Sequence, residues 1–226
     1  MLAAFGAAAC ERTPAPEPLA SARESGAPVP SAAPHSDGES IPRIVCLGDS
    51  LTAGLGVKPD EAYPALLERR LRDAGYRYEV VNAGVSGDTS AGALRRLEWS
   101  LDDNVRVLIV AIGGNDGLRG LPAAELRRNL AAIIETAQSR GVAVLLAGME
   151  APPNFGPAYT REFRAVYADL AKRYRVGFVP FLLAGVAGVR ELNQADGVHP
   201  TAEGQRAMAD LIWPELERLV RTLETG

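Results

Sequence analysis

The amino-acid sequence predicts a three-layer α/β domain from residue 41 onward, in which helices cover both faces of a five-stranded parallel sheet. Five short apolar segments alternate with five longer segments whose apolar residues recur at helical spacing. The inner apolar segments are almost wholly aliphatic, which is typical of parallel strands buried on both faces. The predicted strands cover residues 43–47, 78–82, 105–112, 142–148 and 176–181.

The residues that flank the helical segments support the same assignment. Asp60 is expected to cap the first helix and Gly75 follows its end, while Gly141 follows the third helix. Pro214 falls inside the last helix, which it is expected to bend or divide. The predicted helices cover residues 60–74, 89–101, 122–140, 157–175 and 201–223.

The composition narrows the class of protein. The chain has 226 residues, of which 47% are hydrophobic and 23% are charged, and its formal net charge is -4. These values are typical of a globular protein with a sizeable core. Basic residues do not cluster with aromatic ones, so no nucleic-acid partner is predicted. No run of about 18 apolar residues predicts a membrane span, and a monomer is expected.

Residues 1–40 differ in composition from the rest of the chain. A run of small apolar residues precedes Cys10, and this pattern resembles the end of a bacterial lipoprotein signal peptide. Residues 11–40 contain six prolines and few large aliphatic side chains, so they are expected to form an extended, flexible tether. Lipidation of Cys10 would anchor the domain to a membrane. The alternative is a disordered leader with an incidental cysteine.

Four polar, glycine-rich segments contain the candidate functional residues. Three of them directly follow predicted strands, and a parallel sheet brings the ends of its strands to one edge, where open α/β sheets bind their ligands. The fourth lies near the C-terminus of the chain. The segments are Gly48-Asp49-Ser50, residues 82–89, residues 113–117 and residues 196–200.

His199 is the one imidazole in the predicted domain, because the other histidine, His35, lies in the tether. A serine hydroxyl needs a base to remove its proton before it can act as a nucleophile at neutral pH. His199 can supply that base for Ser50, and Asp196 can orient the imidazole. An isolated Asp-x-x-His is more often a structural turn, but its combination with three glycine-rich strand ends favours a catalytic serine.

Acyl transfer also needs hydrogen-bond donors for the negative charge that develops on the substrate oxygen. The sequence offers three candidates, which are the backbone N–H of Ser50, the backbone N–H of Gly84 and the side-chain amide of Asn115. Gly84 permits a close approach because it has no side chain. The alternative for Asn115 is an ordinary turn residue.

The four segments, in this order, resemble the four sequence blocks of the SGNH, or GDSL, hydrolases. Residues 86–90, 114–120 and 151–156 resemble the thioesterase I / protease I / lysophospholipase branch of that family, often called arylesterase. The resemblance implies a flavodoxin-like fold, with Ser50 as nucleophile, His199 as base and Asp196 as its orienting partner. It implies that Ser50, Gly84 and Asn115 form the oxyanion hole. It further implies a serine esterase of the bacterial cell envelope that hydrolyses aryl and acyl esters, acyl thioesters or lysophospholipids.

The loop that follows the fourth strand is expected to form the wall for the acyl chain. Met149, Pro152, Pro153 and Phe155 give this loop an apolar surface, although these side chains could pack beneath the loop instead. Two other functions stay open, a carbohydrate or cell-wall O-acetylesterase and a flavodoxin-like ligand-binding module without catalysis. The second is disfavoured because no nucleotide-binding glycine motif follows the first strand.

No cofactor and no metal site are predicted. Asp49, Asp88 and Asp116 lie in separate loops, where they are expected to cap helices or brace turns. Cys46 lies inside the first strand and is expected to be a small buried hydrophobic residue.

Overall fold

The computed structural model describes residues 41–225, so the predictions for the tether and for Cys10 lie outside the described residues. The strands are β1 Arg43–Gly48, β2 Glu79–Gly84, β3 Val105–Ala111, β4 Ala143–Ala147 and β5 Gly177–Val179. All are parallel and form one sheet in the order β2-β1-β3-β4-β5. The chain reverses its winding direction between β1 and β3, and a sheet of this order has its ligand crevice at that point.

The helices confirm the predicted alternation of strand and helix. Residues 41–225 contain the helices α1 Ser50–Ala53, α2 Tyr63–Asp73, α3 Ser90–Ser100, α4 Gly114–Leu118, α5 Ala123–Ser139, α6 Pro157–Tyr174 and α7 Ala202–Thr225. Short 3-10 turns cover Pro59–Glu61, Pro153–Phe155 and Arg190–Leu192. The short helices α1 and α4 were not predicted, because four or five residues are too few to show a helical period.

Apolar side chains from the sheet and the helices form one continuous core. Residues 107–110 of β3 are fully buried, because β3 lies inside the sheet and helices cover both of its faces. Cys46 of β1 is fully buried as well, as predicted. Helix α2 packs against α7, while α3 and α6 both pack against α5. Within residues 41–225, no helix has both the length and the apolar character that a bilayer span requires.

One local prediction about the helices is wrong, and one alternative of a second is excluded. Asp60 lies in a 3-10 turn and does not cap α2, whose first N–H, that of Tyr63, donates instead to Oε1 of Gln205 at 2.9 Å. Pro214 does not divide α7, which continues past it to Thr225. The side chains two residues to either side, at positions 212 and 216, are fully buried, so packing against the core offsets the hydrogen bond that the proline removes.

Helix α1 lies directly against the carboxyl ends of β1 and β2. A Cβ on Gly84 would stand 2.2 Å from the backbone nitrogen of Ala53. A Cβ on Gly48 would stand 2.0 Å from Oγ1 of Thr52. Both strands end in glycine because α1 occupies the space that a side chain would need. This contact fixes α1, and with it Ser50, at the edge of the sheet.

We expect Gly84→Ala to lower the free energy of unfolding by about 1–3 kcal/mol, because the new methyl group collides with the backbone of α1. Gly177→Ala is the matched control, since its Cβ first meets the ends of two flexible leucine side chains, at 3.0 and 3.1 Å. Guanidinium-induced unfolding of both variants measures the difference. Equal losses of stability in the two variants would show that α1 is not held tightly against β2.

Candidate active site

Ser50 lies at the sharp corner between β1 and α1. Asp49 caps the helix, since its Oδ1 accepts a hydrogen bond from the N–H of Leu51 at 3.1 Å, and Gly54 ends the helix in the left-handed conformation. Ser50 is the first residue of α1 and is 9% exposed. The first backbone N–H groups of a helix have no partner within the helix, so this corner offers both a hydroxyl group and a donor.

The structure brings the side chains of Ser50, His199 and Asp196 into one hydrogen-bonded row. Oγ of Ser50 lies 3.0 Å from Nε2 of His199, and Nδ1 of His199 lies 2.6 Å from Oδ2 of Asp196. The other carboxylate oxygen of Asp196 accepts hydrogen bonds from the N–H groups of His199 and Val198. These backbone bonds and the imidazole hold the pKa of Asp196 well below its usual range. Ionised Asp196 favours the tautomer in which Nε2 of His199 can accept a proton.

Two glutamine side chains tie the histidine segment to the corner at Ser50. Nε2 of Gln194 donates to the carbonyl oxygen of Leu55, after α1, and to that of Pro200, beside the histidine. Gln205 of α7 is buried and donates to the carbonyl oxygen of Leu51 at 3.1 Å. Sequence reasoning missed both glutamines, because no local pattern indicates which distant backbone an amide will meet.

Asn115 lies in α4, directly after β3, and not in the loop that the sequence predicted. Its Nδ2 donates one hydrogen to Oδ2 of Asp49 at 3.3 Å, which leaves the second amide hydrogen for another acceptor. Asp116 anchors α4, since its carboxylate accepts hydrogen bonds from the N–H and the hydroxyl group of Ser90 at the start of α3. Asn115 and Ser50 line the same cavity.

The prediction that Gly84 offers a backbone donor to this site is wrong. Strand β2 continues through Gly84, whose N–H donates to Oδ1 of Asn82 at 3.0 Å. Ser86 and Gly87, further along the loop, line the cavity instead. The N–H of Gly87 has no hydrogen-bond partner among residues 41–225. Gly87 has a φ of 80°, a backbone conformation that favours glycine, and a glycine inside a polar loop is the sequence signal that could have drawn attention to this position.

Arg96 of α3 holds the loop between β2 and α3 in place. Its guanidinium donates to the carbonyl oxygens of Gly48 and Ala83 at 2.8 and 2.7 Å, and it pairs with Asp88 at 2.7 Å. These partners belong to the end of β1, the end of β2 and the residue after Gly87. One half-buried cation therefore fixes the position of the Gly87 loop relative to the end of β1.

A largely apolar cavity of about 460 Å³ opens at Ser50. The predicted wall contributes Met149 and Pro152 to it, whereas Pro153 and Phe155 are not among its lining residues. Phe155 packs edge to face on Tyr159 instead, with ring centroids 5.5 Å apart. Apolar side chains that sequence reasoning missed complete the cavity, namely Leu51, Leu55, Leu118, Phe181, Leu183, Ala187 and Val198.

The acidic residues near the site have structural partners, as predicted. Asp49 caps α1, Asp88 pairs with Arg96, and Asp116 holds the start of α3. Within the described part of the chain, no group of three or more His, Cys, Asp and Glu side chains is placed to hold a metal ion.

Serine hydrolases have a serine, a histidine and an aspartate in one hydrogen-bonded row. This protein has that arrangement at the carboxyl edge of its open parallel sheet. Residues 46–207 match the model of the GDSL-like lipase/acylhydrolase family, and the chain belongs to this family. The fold is that of the SGNH hydrolases, as the resemblance implied. The protein is an ester hydrolase of this family.

Named relatives agree with this assignment. The chain is 44% identical over 178 residues to "Esterase TesA" of Pseudomonas aeruginosa, covering 78% of this chain and 89% of the relative. It is 36% identical over 178 residues to "Thioesterase 1/protease 1/lysophospholipase L1" of Escherichia coli K12, covering 78% of this chain and 84% of the relative. A crystal structure of TesA aligns with a TM-score of 0.75 at 44% identity and covers 78% of this chain and 99% of that chain.

The titration of Asp49 affects stability. Burial raises the pKa of the Asp49 carboxyl group to about 6, although hydrogen bonds from Leu51 and Asn115 lower it. Between about pH 4 and about pH 6, the unfolded chain releases a proton that the folded chain retains. The contribution of Asp49 to the free energy of unfolding therefore falls as the pH rises through this window, by an amount on the order of 3 kcal/mol.

Asp49→Asn removes this titration. We therefore expect the wild type to lose stability relative to Asp49→Asn, by about that amount, as the pH rises from about 4 to about 7. Denaturant-induced unfolding at a series of pH values measures the difference. Asp60→Asn, at an exposed position, is the control and should parallel the wild type throughout. A constant difference between the wild type and Asp49→Asn would contradict the raised pKa.

Proposed function

We propose that this enzyme hydrolyses carboxylic esters by two successive acyl transfers, in which Ser50 is the nucleophile, His199 the general base and Asp196 the residue that orients it. The contact that carries this proposal is the 3.0 Å distance between Oγ of Ser50 and Nε2 of His199, at an apolar cavity. A serine needs such a base within hydrogen-bond reach to become nucleophilic at neutral pH.

In the first transfer, His199 takes the proton of Ser50 while Oγ attacks the carbonyl carbon of the ester. The tetrahedral intermediate then collapses, and His199 gives the proton to the departing oxygen or sulfur, which leaves as an alcohol or a thiol. Water repeats both steps on the acylated Ser50 and releases the carboxylic acid. Asp196 stabilises the imidazolium that forms in each transfer.

Three donors would bind the negative charge of the tetrahedral intermediates. They are the N–H of Ser50, the N–H of Gly87 and the free amide hydrogen of Asn115. All three residues line the cavity, and the Gly87 N–H is unpaired among residues 41–225, which supports this assignment. Arg96 and Asp116 hold the elements that carry these donors. Donors placed before the reaction stabilise the developing charge without reorganisation.

The cavity supports acyl chains of several carbons as the preferred acyl group. Its walls are mostly aliphatic or aromatic, and its volume of about 460 Å³ far exceeds that of an acetyl group. Acyl thioesters and lysophospholipids are proposed as further substrates, since the Escherichia coli relative is named for both activities. The alternative, a carbohydrate or cell-wall O-acetylesterase, would need neither the size nor the apolar walls of this cavity.

We also propose that the enzyme works as a monomer at the bacterial cell envelope, in the periplasm or anchored through Cys10. The support for the envelope location is the sequence around Cys10 and the proline-rich composition of residues 11–40. Mass spectrometry of the mature N-terminus tests the lipid.

Ser50→Ala is expected to abolish turnover of p-nitrophenyl butyrate and covalent labelling by a fluorophosphonate, because it removes the attacking oxygen.

Asn115→Ala should lower kcat by about 100- to 1000-fold with a small change in KM, because the lost donor acts on the transition state. Asn154→Ala, an exposed asparagine outside the cavity, is the matched control. Wild-type kcat in Ser50→Ala would overturn the proposed mechanism.

A series of p-nitrophenyl esters of increasing chain length tests the proposed acyl group. Each additional buried methylene contributes about 0.8 kcal/mol, so kcat/KM should rise about three- to fourfold per carbon until the cavity is filled. A sharp preference for acetyl would contradict this expectation and favour the O-acetylesterase.

A further inference from the structure

A shallow furrow of about 570 Å³ adjoins the cavity at Ser50, and residues between Gly188 and Gly197 form it. Asn193 and Gly197 line both the furrow and the cavity. The two depressions therefore meet at the loop that carries Asp196 and His199. The furrow plays no part in the proposed mechanism described so far, and its lining residues come from a single segment of the chain.

Within residues 41–225, Arg190 is the one charged residue that lines the furrow. Its guanidinium forms no ion pair or hydrogen bond with any residue in the described range 41–225. The other polar side chains of the furrow are occupied, since the amide of Asn193 donates to two carbonyl oxygens, and so does that of Gln194. The five N–H donors of Arg190 are therefore available to a ligand.

Two carboxylates lie close to Arg190 in the sequence, and neither forms an ion pair with it among residues 41–225. Glu191 follows Arg190 in the same 3-10 turn but is not among the lining residues. Asp196 is close in sequence, but both of its oxygens are engaged, one with two backbone N–H groups and one with the imidazole of His199. Among residues 41–225, the guanidinium of Arg190 is therefore left to pair with an anion, in a furrow that shares Asn193 and Gly197 with the cavity at Ser50.

The proposed reaction determines which part of the substrate reaches this furrow. His199 protonates the leaving atom, so the leaving group lies beside the histidine loop while the acyl chain fills the apolar cavity. On this basis, and resting on the proposed function, we propose that the furrow is a subsite for the leaving group and that Arg190 binds a phosphate group on it. A guanidinium matches a phosphate in charge and geometry, because two parallel N–H groups can bind two oxygens.

The charged residues of the cavity wall favour the same orientation. Glu150 lines the cavity, belongs to the segment after β4, and contributes nothing to the furrow. It pairs with Arg164 at 2.9 Å, and both side chains are partly exposed. The residues 41–225 that line the cavity include no lysine or arginine, whereas those that line the furrow include Arg190. A phosphate group is therefore favoured in the furrow, and an apolar acyl chain in the cavity.

Leaving groups that carry phosphate have two common chemical forms, a glycerol phosphate headgroup and a phosphorylated thiol carrier. Two matched substrate pairs distinguish between these forms. One pair is 1-octanoylglycerol 3-phosphate and 1-octanoylglycerol, and the other is octanoyl-coenzyme A and S-octanoyl-N-acetylcysteamine. Within each pair the acyl group and the scissile bond are the same, and only one member carries phosphate. The measured quantity is the ratio of kcat/KM for the phosphorylated member to that for the neutral member, with the full chain and with monomeric substrate.

We expect a ratio of about five to ten in the wild type at low salt, and a fall toward one as salt screens the exposed charges. Arg190→Gln should lower the ratio to near one. Arg161→Gln is the matched control, because Arg161 is exposed on α6, has no ion pair among residues 41–225 and lines a separate depression. This control should keep the wild-type ratio.

The outcomes are distinct. Loss of the ratio in Arg190→Gln for the glycerol pair alone supports a lipid headgroup as the ligand, and loss for the thioester pair alone supports a phosphorylated carrier. A ratio near one in the wild type, or the same ratio in Arg190→Gln, overturns the subsite while hydrolysis of the neutral members still supports the proposed function. No hydrolysis of any member would overturn both proposals.

Discussion

Helix α1 lies so close to the ends of β1 and β2 that neither Gly48 nor Gly84 has room for a side chain. This packing positions the corner that carries Ser50, because α1 cannot move toward the strands and loses its contacts if it moves away. The rest of the site is then placed relative to α1. Gln205 binds the α1 backbone, and Gln194 binds the loop after it, so the segment that carries His199 is held at the same corner. The 3.0 Å contact between Ser50 and His199 therefore depends on backbone packing as much as on the two side chains.

A second constraint is that the polar groups beneath the site must all find partners. No buried side-chain nitrogen or oxygen within residues 41–225 lacks one. Asp49 is buried although its carboxylate would be better solvated in water, and this burial raises the pKa of Asp49 to about 6. The same carboxylate caps α1 and holds the amide of Asn115, and these two bonds explain why a buried acid is retained beside the nucleophile. The burial of Asp49 therefore lowers the free energy of unfolding at neutral pH, while its hydrogen bonds fix the geometry of the proposed oxyanion hole.

The surroundings of Ser50 are divided by chemistry. The cavity is lined mostly by apolar side chains, and the adjoining furrow presents Arg190, a cation with no ion pair in the described part of the chain. A substrate with one apolar end and one polar end can fill both the cavity and the furrow, whereas a small neutral ester would fill neither of them fully. The proposed mechanism and the proposed subsite therefore rest on the same loop, residues 193–199, which borders both depressions.

The sequence alone determined the α/β class and the five strands, and it predicted Ser50, Asn115, Asp196 and His199 as site residues. Apolar runs and helical periods report on neighbours within a few positions, and a single histidine in the domain left one partner for the serine. The tertiary structure decided the rest. Gly84 is still part of β2, so Gly87 faces the cavity, and Pro153 and Phe155 lie outside the lining while Phe181 and Leu183 belong to it. These outcomes depend on how close α1 packs to the strand ends and on which loops converge over the sheet. Such contacts join residues far apart in the chain, and no local pattern of side chains encodes them.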